Sequence, residues 1–319
     1  MRFKATAIAL IAGLLLAGPV FAQGTGRSLD IQPGARENGM GGAGVALADD
    51  ATGMTWWNPA GLGFAKRVGL QMTNAKLVPG LADDVSYNHL AYVQPMEGWG
   101  GLALSVAFLS YGTSAQTDES GALLGEFDSY EASMGLSYGV ELLPDLGIGA
   151  NVKYIHIQLA PQNLQGVATG LGFDLGCLYR LQPAHLRLGV TIQNLGPSMV
   201  FINEDQASPL SRNIKTGFAW EAFTGGGITS TVAADFNQSL VTQKFRTYHG
   251  GMELKYSTEG GKGIGLAGRV GYYYDPLGEI KNMTYGLGLS WGQLGLDYGS
   301  VPQATTLPYV EKFSLGYRF

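Results

Sequence analysis

Apolar and polar residues alternate with a period of two along most of the chain from residue 67 to residue 319. The clearest runs place large apolar side chains on one face and mainly Gly, Ser, Thr or charged residues on the other, and they cover residues 130–140, 167–179, 186–193 and 313–319. Such alternation is typical of β-strands whose two faces meet different surroundings. The pattern therefore predicts an all-β fold.

Turn-forming residues divide this region into fourteen predicted strands, near residues 67–76, 84–95, 100–111, 126–142, 146–158, 167–180, 184–194, 211–222, 227–237, 244–257, 263–274, 280–291, 293–299 and 309–319. Short turns alternate with longer loops. The predicted short turns are 97–99, 144–145, 182–183, 225–226 and 292–293, and the loops are 113–125, 159–166, 196–210 and 300–308. This connectivity is typical of a transmembrane antiparallel β-barrel.

A soluble β-sandwich is the alternative fold with the same alternation. Two features favour the barrel. Many strands carry Gly or polar residues on the face that a sandwich would pack into its core. Aromatic residues also lie toward strand ends, where a barrel places its interfacial girdles, and they are Tyr130, Tyr138, Tyr179, Trp220, Tyr256, Tyr274, Trp291 and Phe319. We therefore predict a transmembrane barrel of about fourteen strands.

The first 22 residues carry the features of a secretory signal peptide. Arg2 and Lys4 precede an apolar run at 5–17, and the small residue Ala22 follows where a peptidase would cleave. The run is shorter than the ~20 apolar residues that a helix needs to span a bilayer. We predict cleavage near Ala22 and localisation of the mature chain in the cell outer membrane of a Gram-negative type of bacterium.

Composition and charge agree with a membrane barrel. Charged residues make up only 14% of the chain, which contains 49 Gly, 16 Tyr and 13 Phe, whereas soluble domains carry about 25% charged residues. Without residues 1–22 the chain keeps 18 Lys and Arg against 25 Asp and Glu, a formal net charge of −7. This balance argues against nucleic-acid binding. Cys177 is the single cysteine, so no internal disulfide and no cysteine metal cluster is possible.

Residues 35–63 break the alternation and predict a compact segment before the first strand. Four glycines at 39–44 allow the backbone to turn and to approach other backbone closely. Asp49 or Asp50 is expected to cap a short helix that ends before Pro59. The small inward residues of the strands leave room for this segment, and we expect it to pack at positions such as Gly135, Gly170, Gly172 and Gly288.

The predicted organisation is thus a signal peptide at 1–22, an N-terminal hatch or plug at 23–65, and a transmembrane barrel at 66–319. The run from Arg36 to Gly44, the run 48–51 and Asn58-Pro59-Ala60-Gly61 together resemble the N-terminal signature of the PorV/PorQ family, which is itself similar to the FadL-type outer-membrane transporters. In those families an NPA-containing hatch plugs a fourteen-stranded barrel. The terminal Phe319 likewise resembles the C-terminal signal by which such barrels are recognised for assembly.

The resemblance implies one of two functions. The first is passive transport of small hydrophobic compounds through the plugged barrel, along a path at Met54, Trp56 and Trp57. The second is a surface scaffold or secretion component resembling PorV of the type IX secretion system. The modest loop lengths favour transport. The implied partners are outer-membrane lipid, hydrophobic small molecules or exported proteins, and the outer-membrane assembly machinery.

The sequence predicts neither an enzyme nor a cofactor-binding protein. The four histidines, His89, His156, His185 and His249, are isolated from one another in the predicted strands and turns. A hydrolase would need a nucleophile, a histidine and an orienting polar residue assembled together. The spacing Gly39-x-Gly41-x-x-Gly44 formally matches a dinucleotide fingerprint, but no strand precedes it and no βαβ unit contains it. We therefore expect no catalytic, cofactor or metal site.

Overall fold

Fourteen antiparallel strands close into one barrel in sequence order, with the last strand paired to the first. The computed structural model describes residues 24–242, 245–258, 263–276, 278–304 and 307–319. The predicted signal peptide at 1–22 lies outside the described residues. The strands are β1 Gly69–Val78, β2 Ala82–Met96, β3 Gly100–Thr117, β4 Leu123–Leu143, β5 Leu146–Gln158, β6 Val167–Leu181, β7 Leu186–Leu195, β8 Asn213–Gly225, β9 Ile228–Ser239, β10 Arg246–Ser257, β11 Ile264–Asp275, β12 Ile280–Trp291, β13 Leu294–Val301 and β14 Val310–Arg318. The prediction of a fourteen-stranded antiparallel barrel is confirmed.

The two faces of the strands differ as the alternation predicts. Leu136 is 54% exposed on the outer face, whereas its neighbour Ser137 is 0% exposed on the inner face. Leu315 and Ser314 repeat this contrast on β14. The outer face therefore carries the apolar belt that a bilayer requires, and the inner face is buried by whatever fills the lumen.

The hairpin of β3 and β4 is longer than the alternation predicts. The expected loop at 113–125 was wrong, because the ladder continues past a bulge near Gly112 and leaves only 118–122 as a turn. Alternation of apolar residues ends here, but polar cross-strand pairs sustain the ladder, as between Thr113 Oγ1 and Asp128 Oδ1 at 2.7 Å. The hairpin thus extends beyond the apolar belt.

Connections differ between the two ends of the barrel. One end carries the turns 97–99, 144–145, 182–185, 226–227 and 292–293, and the other carries the longer loops 159–166 and 196–212. In outer-membrane barrels the short turns face the periplasm and the long loops face outward. We name the two ends periplasmic and extracellular on that basis.

Helical structure is confined to short pieces, most of them before β1. The 3₁₀ turns are Arg27–Leu29, Pro59–Phe64, Gln162–Leu164, Gln182–Ala184 and Glu204–Gln206, the α-helix is Ala35–Gly39, and a π-helical turn covers Gly53–Trp57. No helix in the described part of the chain is long and apolar enough to cross a membrane. The buried core lies inside the barrel, where residues of this N-terminal segment pack against the inner faces of the strands.

Candidate functional site

The segment from residue 24 to residue 65, here called the N-terminal segment, runs through the lumen from one end to the other. Its start pairs with the long loop at the extracellular end, where Thr25 forms a parallel bridge with Leu210. Its end reaches the periplasmic end, where Gly63 lies against the backbone of Val140 and Glu141 on β4. Contacts at both ends and along the middle therefore hold this segment inside the barrel.

Backbone meets backbone where the first part of this segment touches β10 to β12. Gly41 has a φ of 76°, in the left-handed region that favours glycine. A Cβ added to Gly271 on β11 would lie 2.1 Å from the Gly41 nitrogen, and one added to Gly251 would lie 2.5 Å from the Met40 oxygen. Glycine on both sides is thus a steric requirement of this contact.

The glycines predicted to receive the segment are not the ones that do so. A Cβ at Gly135 would first meet Ser105 and Asn151, and one at Gly288 would first meet Arg269 and Asp297, all on the barrel wall. At Gly170 and Gly172 the nearest groups are Met199 in the loop and Ile155 and Leu210. The segment instead packs on other inward glycines, namely Gly101, Gly139, Gly147, Gly149, Gly176, Gly189, Gly251, Gly271, Gly286 and Gly299. That expectation was wrong because the alternation shows which face of a strand a residue lies on, but not where along the barrel axis the N-terminal segment touches that strand.

Buried ion pairs link the segment to β10, β11 and β13. Arg36 donates to both carboxylate oxygens of Glu253, at 3.0 and 3.1 Å. Arg269 donates to Glu253 at 2.6 Å and pairs with Asp297 at 2.8 Å. We call Arg36, Glu253, Arg269 and Asp297 the charged anchor. Removing Glu253 would take away the carboxylate that Arg36 and Arg269 share and would leave each of them with one partner, Asp49 and Asp297 respectively.

The carboxyl groups of the segment itself titrate differently from one another. Burial raises the pKa of Glu37 well above its ordinary value, and the nearby Asp50 raises it further. Burial likewise raises the pKa of Asp50. Although burial also opposes ionisation of Asp49, the guanidinium groups of Arg36 and Arg187 outweigh it and hold the pKa of Asp49 below its ordinary range. Asp49 is thus the carboxylate that stays charged.

The NPA motif forms a second, uncharged anchor. Asn58 Nδ2 donates to the carbonyl oxygens of Val45 and of Cys177 on β6, both at 3.0 Å, while its Oδ1 accepts from Ala60 N at 3.1 Å. Pro59 starts a 3₁₀ turn whose backbone touches Gly149. We call Asn58, Pro59, Ala60 and Gly61 the NPA anchor.

The predicted short helix is present and capped, but most of it has π-helical geometry. Asp50 Oδ1 accepts from Gly53 N at 2.7 Å, so Asp50 rather than Asp49 is the cap. The turn then widens to π-helical geometry over Gly53–Trp57. Asn58 is extended, as a residue before proline prefers. The second helical turn after Pro59 was not predicted, because proline was interpreted only as a stop.

The three residues predicted to line a hydrophobic path are packed rather than open. Trp57 is buried, with Nε1 donating to Gly42 O at 3.3 Å and its ring against Gly44. The Lys215 ammonium lies 3.8 Å from the centre of the Trp56 ring. Met54 lines a cavity at the periplasmic mouth, and Trp56 lines a separate cavity of only about 20 Å³ inside the lumen. The described residues therefore contain no continuous apolar path through these three positions.

Polar groups line much of the remaining inner wall. Lys153 pairs with Asp174 at 2.8 Å and donates to Asn194 Oδ1 at 2.6 Å. Asn194 has a φ of 60° at an irregularity between β6 and β7, and its N–H donates to Asp174 Oδ1. Period two placed Lys153 and Asp174 on the inner face. The alternation could not show that Lys153 and Asp174 pair with each other and with Asn194 across β5, β6 and β7.

The loop 196–212 folds back over the extracellular end of the lumen. Its Met199 and Leu210 are buried against Leu29 of the N-terminal segment and against Ile155 and Ile157 of β5. The N-terminal segment thus meets an apolar cap at this end. Sequence patterning did not indicate this contact, because the loop has no periodicity that a strand or helix rule can use.

Phe319 closes the barrel seam at the periplasmic end. Its N–H donates to Val68 O at 2.9 Å, and its exposed ring packs edge to face with Tyr317 at 4.7 Å. The histidines serve structural contacts where partners are seen, as His249 Nδ1 does with Gly41 O at 2.7 Å. Among the described residues, no three His, Cys, Asp or Glu side chains are placed to hold a metal ion.

Comparison with known families and structures agrees with this architecture. The family described as "Type IX secretion system protein PorV" matches residues 24–245. A comparison with curated proteins gives no significant match. The resemblance first seen in residues 36–61 is thereby confirmed.

Several solved outer-membrane structures share the fold. The CymD monoaromatic hydrocarbon channel matches at 14% identity with a TM-score of 0.53, over 90% of this chain and 98% of that chain. The Ralstonia pickettii toluene transporter TbuX matches at 14% identity with a TM-score of 0.51, over 89% of this chain and 97% of that chain. A Pseudomonas aeruginosa FadL homologue matches at 10% identity with a TM-score of 0.52, over 91% of this chain and 98% of that chain.

At such low identities these likenesses establish the fold alone, that of a FadL-type outer-membrane β-barrel. The family match is more specific, because it covers more than half of the sequence and includes the whole N-terminal segment from residue 24. This chain belongs to the PorV family of outer-membrane β-barrel proteins.

Proposed function

We propose that this protein is a closed outer-membrane barrel that acts at the cell surface as a scaffold for exported proteins or for subunits of a secretion apparatus. The observation that carries this proposal is the lumen, which the N-terminal segment occupies from Thr25 to Gly63. The name of the matching family, a type IX secretion system protein, supports the same role. The segment acts in this account as a permanent plug.

Two anchors of different chemistry favour a plug that stays in place. The charged anchor holds Arg36 through Glu253 on one side of the barrel. The NPA anchor holds Asn58 to β6 on the other side. Moving the segment would leave buried charges and buried amide groups without partners at the same time, and each such group is costly.

Exposed apolar side chains at the extracellular end supply a binding surface. They lie on four successive connections around one sector of the rim, and the most exposed are Leu81, Leu123, Leu124, Leu164 and Ile202. Leu123 precedes Tyr130 by seven residues, so at ~3.3 Å per residue the hairpin tip stands about 20 Å beyond that aromatic level along the strand. Leucines held in water in this way indicate contact with a protein partner.

A non-enzymatic role agrees with the contacts of the polar residues. The inner-wall charges pair with one another or with the N-terminal segment, as Lys153 and Asp174 do. The proposed partners are exported proteins with an apolar surface, the lipid around the barrel and, through Phe319, the assembly machinery. The proposal involves no cofactor.

Passive transport of small hydrophobic compounds is the second candidate. Met54 lines a cavity of about 350 Å³ at the periplasmic mouth, and solved barrels of the same fold are described as hydrocarbon channels. A compound that reached this cavity from outside would have to displace Trp56 and Trp57. Transport therefore requires the NPA anchor to release, whereas scaffolding does not.

The experiment compares two leucine pairs on one strand, in cells of the native host. Leu123→Glu with Leu124→Glu removes the apolar hairpin tip, where the side chains are 66% and 61% exposed. Leu142→Glu with Leu143→Glu is the control at the periplasmic end of the same strand, where they are 57% and 58% exposed. Mass spectrometry of surface-shaved and secreted proteins is the readout, alongside uptake of a hydrophobic dye.

Scaffolding predicts that the extracellular pair lowers the amount of exported protein at the surface, that the periplasmic pair does not, and that dye uptake is the same in both. Unchanged surface proteins together with lower dye uptake in the extracellular pair would contradict scaffolding and favour transport. Both variants must still migrate as heat-modifiable barrels, which shows that they have assembled.

A further inference from the structure

The periplasmic mouth contains a basic cavity that the proposed surface role does not use. It has a volume of about 350 Å³, and its walls come from the end of the N-terminal segment and from the periplasmic ends of several strands. Five basic side chains line it, namely Lys66, Arg67, Arg180, Arg187 and Arg318. Only three carboxylates do so, namely Asp49, Asp50 and Glu221. A positive mouth is notable in a chain whose formal net charge is −5.

The carboxylates in this cavity do not neutralise the basic groups. Asp49 is shared between Arg36 inside the lumen and Arg187 in the cavity, and Glu221 lies 3.7 Å from Arg187. Asp50 already accepts a hydrogen bond from Gly53 N. Among the described residues, the other four basic side chains have no carboxylate within ion-pair distance, and they are Lys66, Arg67, Arg180 and Arg318. An anionic ligand would therefore find unpaired cations.

Two of the arginines are positioned before any ligand arrives. The Arg180 guanidinium lies 4.6 Å from the centre of the Phe64 ring, a cation–π contact that fixes its orientation. Arg187 is held by Asp49 and by the Leu47 carbonyl, each at 3.0 Å. Its Nε is buried and has no hydrogen-bond partner. A buried donor without a partner is uncommon, and an acceptor placed beside it would satisfy it.

Apolar side chains form the floor between these cations. Met54, Phe64, Val93 and Leu178 line the cavity below the basic rim. The volume suits one or two side chains, since small-ligand sites usually measure ~300–1,000 Å³. Lys66, Arg67 and Arg318 are exposed at the rim and so extend the positive surface outward. This arrangement fits a chain larger than the cavity, with one apolar residue inside and acidic residues around it.

We infer that the periplasmic mouth is a binding site for an acidic peptide segment of a periplasmic protein. Arginine suits this ligand because its planar guanidinium pairs with a carboxylate through two parallel hydrogen bonds. The carboxylates of the segment meet Arg180 and Arg318, and a neighbouring apolar side chain packs on Phe64 and Met54. The site lies at the opposite end from the surface leucines, so the inference stands apart from the proposed function.

The test measures binding to the full-length mature protein in lipid nanodiscs. The probe is a fluorescein-labelled Glu-Glu-Leu-Glu-Glu peptide, read by fluorescence anisotropy. Its partner is the same peptide with Gln at each Glu position. We expect the acidic peptide to bind, its affinity to fall as salt is raised, and the Gln peptide to bind far more weakly. Equal binding of the two peptides would overturn the inference.

Two double variants with the same charge change locate the binding. Arg180→Gln with Arg318→Gln removes two cations from the cavity, and we expect roughly tenfold weaker peptide binding. Lys76→Gln with Lys281→Gln removes two cations from the opposite end and should leave the affinity unchanged. Arg67→Gln, at an exposed rim position, serves as a further variant if the first one does not assemble, with a smaller loss expected. Equal affinities for cavity and control variants would also overturn the inference.

Small anions separate a peptide site from a general anion site. Inorganic phosphate and hexanoate are added as competitors at matched ionic strength. We expect neither to displace the peptide at concentrations where unlabelled peptide does. Displacement by hexanoate as effective as that by peptide would contradict a peptide ligand and assign the cavity to a small carboxylate.

Discussion

The charged anchor and the NPA anchor hold the same segment against opposite parts of the barrel wall by different means. The first joins Arg36 to Glu253, Arg269 and Asp297 through buried ion pairs. The second joins Asn58 to β6 through neutral amide hydrogen bonds. Glycines allow close approach in both, as Gly271 does for the first and Gly149 for the second. Both anchors thus depend on close backbone packing, whereas only the charged anchor depends on the ionisation of its side chains.

The largest expected effect comes from breaking the charged anchor. Glu253→Leu leaves Arg36 and Arg269 without their shared partner, and the loss of one member of a buried ion pair costs about 3–5 kcal/mol. Lys76→Gln is the control, because its ion pair with Asp83 is exposed and is worth about 0–1 kcal/mol. Urea unfolding in lipid vesicles measures both. Similar losses for the two variants would show that the charged anchor contributes little.

The second prediction tests close packing on a single strand. Gly271→Ala places a methyl group 2.1 Å from the Gly41 nitrogen, and such overpacking costs about 1–3 kcal/mol. Gly268→Ala makes the same change on β11 at a position where the added carbon meets nothing within 4 Å. Protease sensitivity of the N-terminal segment and urea unfolding should change only for Gly271→Ala. If Gly268→Ala behaves in the same way, the effect belongs to the strand and not to the contact.

The third prediction concerns the NPA anchor. Asn58→Ala removes the amide that donates to the carbonyls of Val45 and Cys177, and the loss of these buried hydrogen bonds costs about 1–3 kcal/mol. Asn74→Ala is the control, because that amide bonds Asn88 at an exposed site. The loss of unfolding free energy in Asn58→Ala should be the same at every pH, since the amide carries no charge. A strongly pH-dependent loss in urea unfolding would argue against a neutral anchor.

The smallest expected effect concerns the buried carboxyl group of Glu37, whose protonation should make stability depend on pH. The pKa of Glu37 is raised by burial, so the folded state keeps this group neutral while the unfolded state ionises it as pH rises. The contribution of Glu37 to the stability of the wild type should therefore fall as pH rises above the ordinary carboxyl range. Glu37→Gln is neutral at every pH, so we expect it to be slightly more stable than wild type at about pH 7 and equal to it at about pH 4. An advantage that grows toward acid pH would reverse this sign and refute the assignment.

The sequence predicts the barrel well and the lumen poorly, for a physical reason. Period two is a local property, so it places Leu136 outside and Ser137 inside, and both positions are confirmed. Contact between the N-terminal segment and a strand depends on height along the barrel and on residues far apart in sequence. Gly41 against Gly271 is such a contact, and no local pattern distinguishes Gly271 from Gly288.

The NPA motif shows the same limit within one segment. The cap at Asp50 and the extended Asn58 follow from rules that act over a few residues, and they agree with the structure. The bond from Asn58 to Cys177 crosses the lumen and could not be predicted from spacing. The family resemblance of residues 36–61 supplied the general position of the segment. It did not supply the partners of Asn58.

Single-channel conductance tests the central claim, that the N-terminal segment closes the lumen. The wild-type protein is compared in planar bilayers with a variant that lacks residues 35–63. We expect that the wild type does not conduct ions and that the deletion opens a stable aqueous pore, since the inner wall left behind carries Lys153, Asp174 and Lys215. Steady conductance of the wild type, or a deletion that conducts no more than the wild type, would contradict this claim.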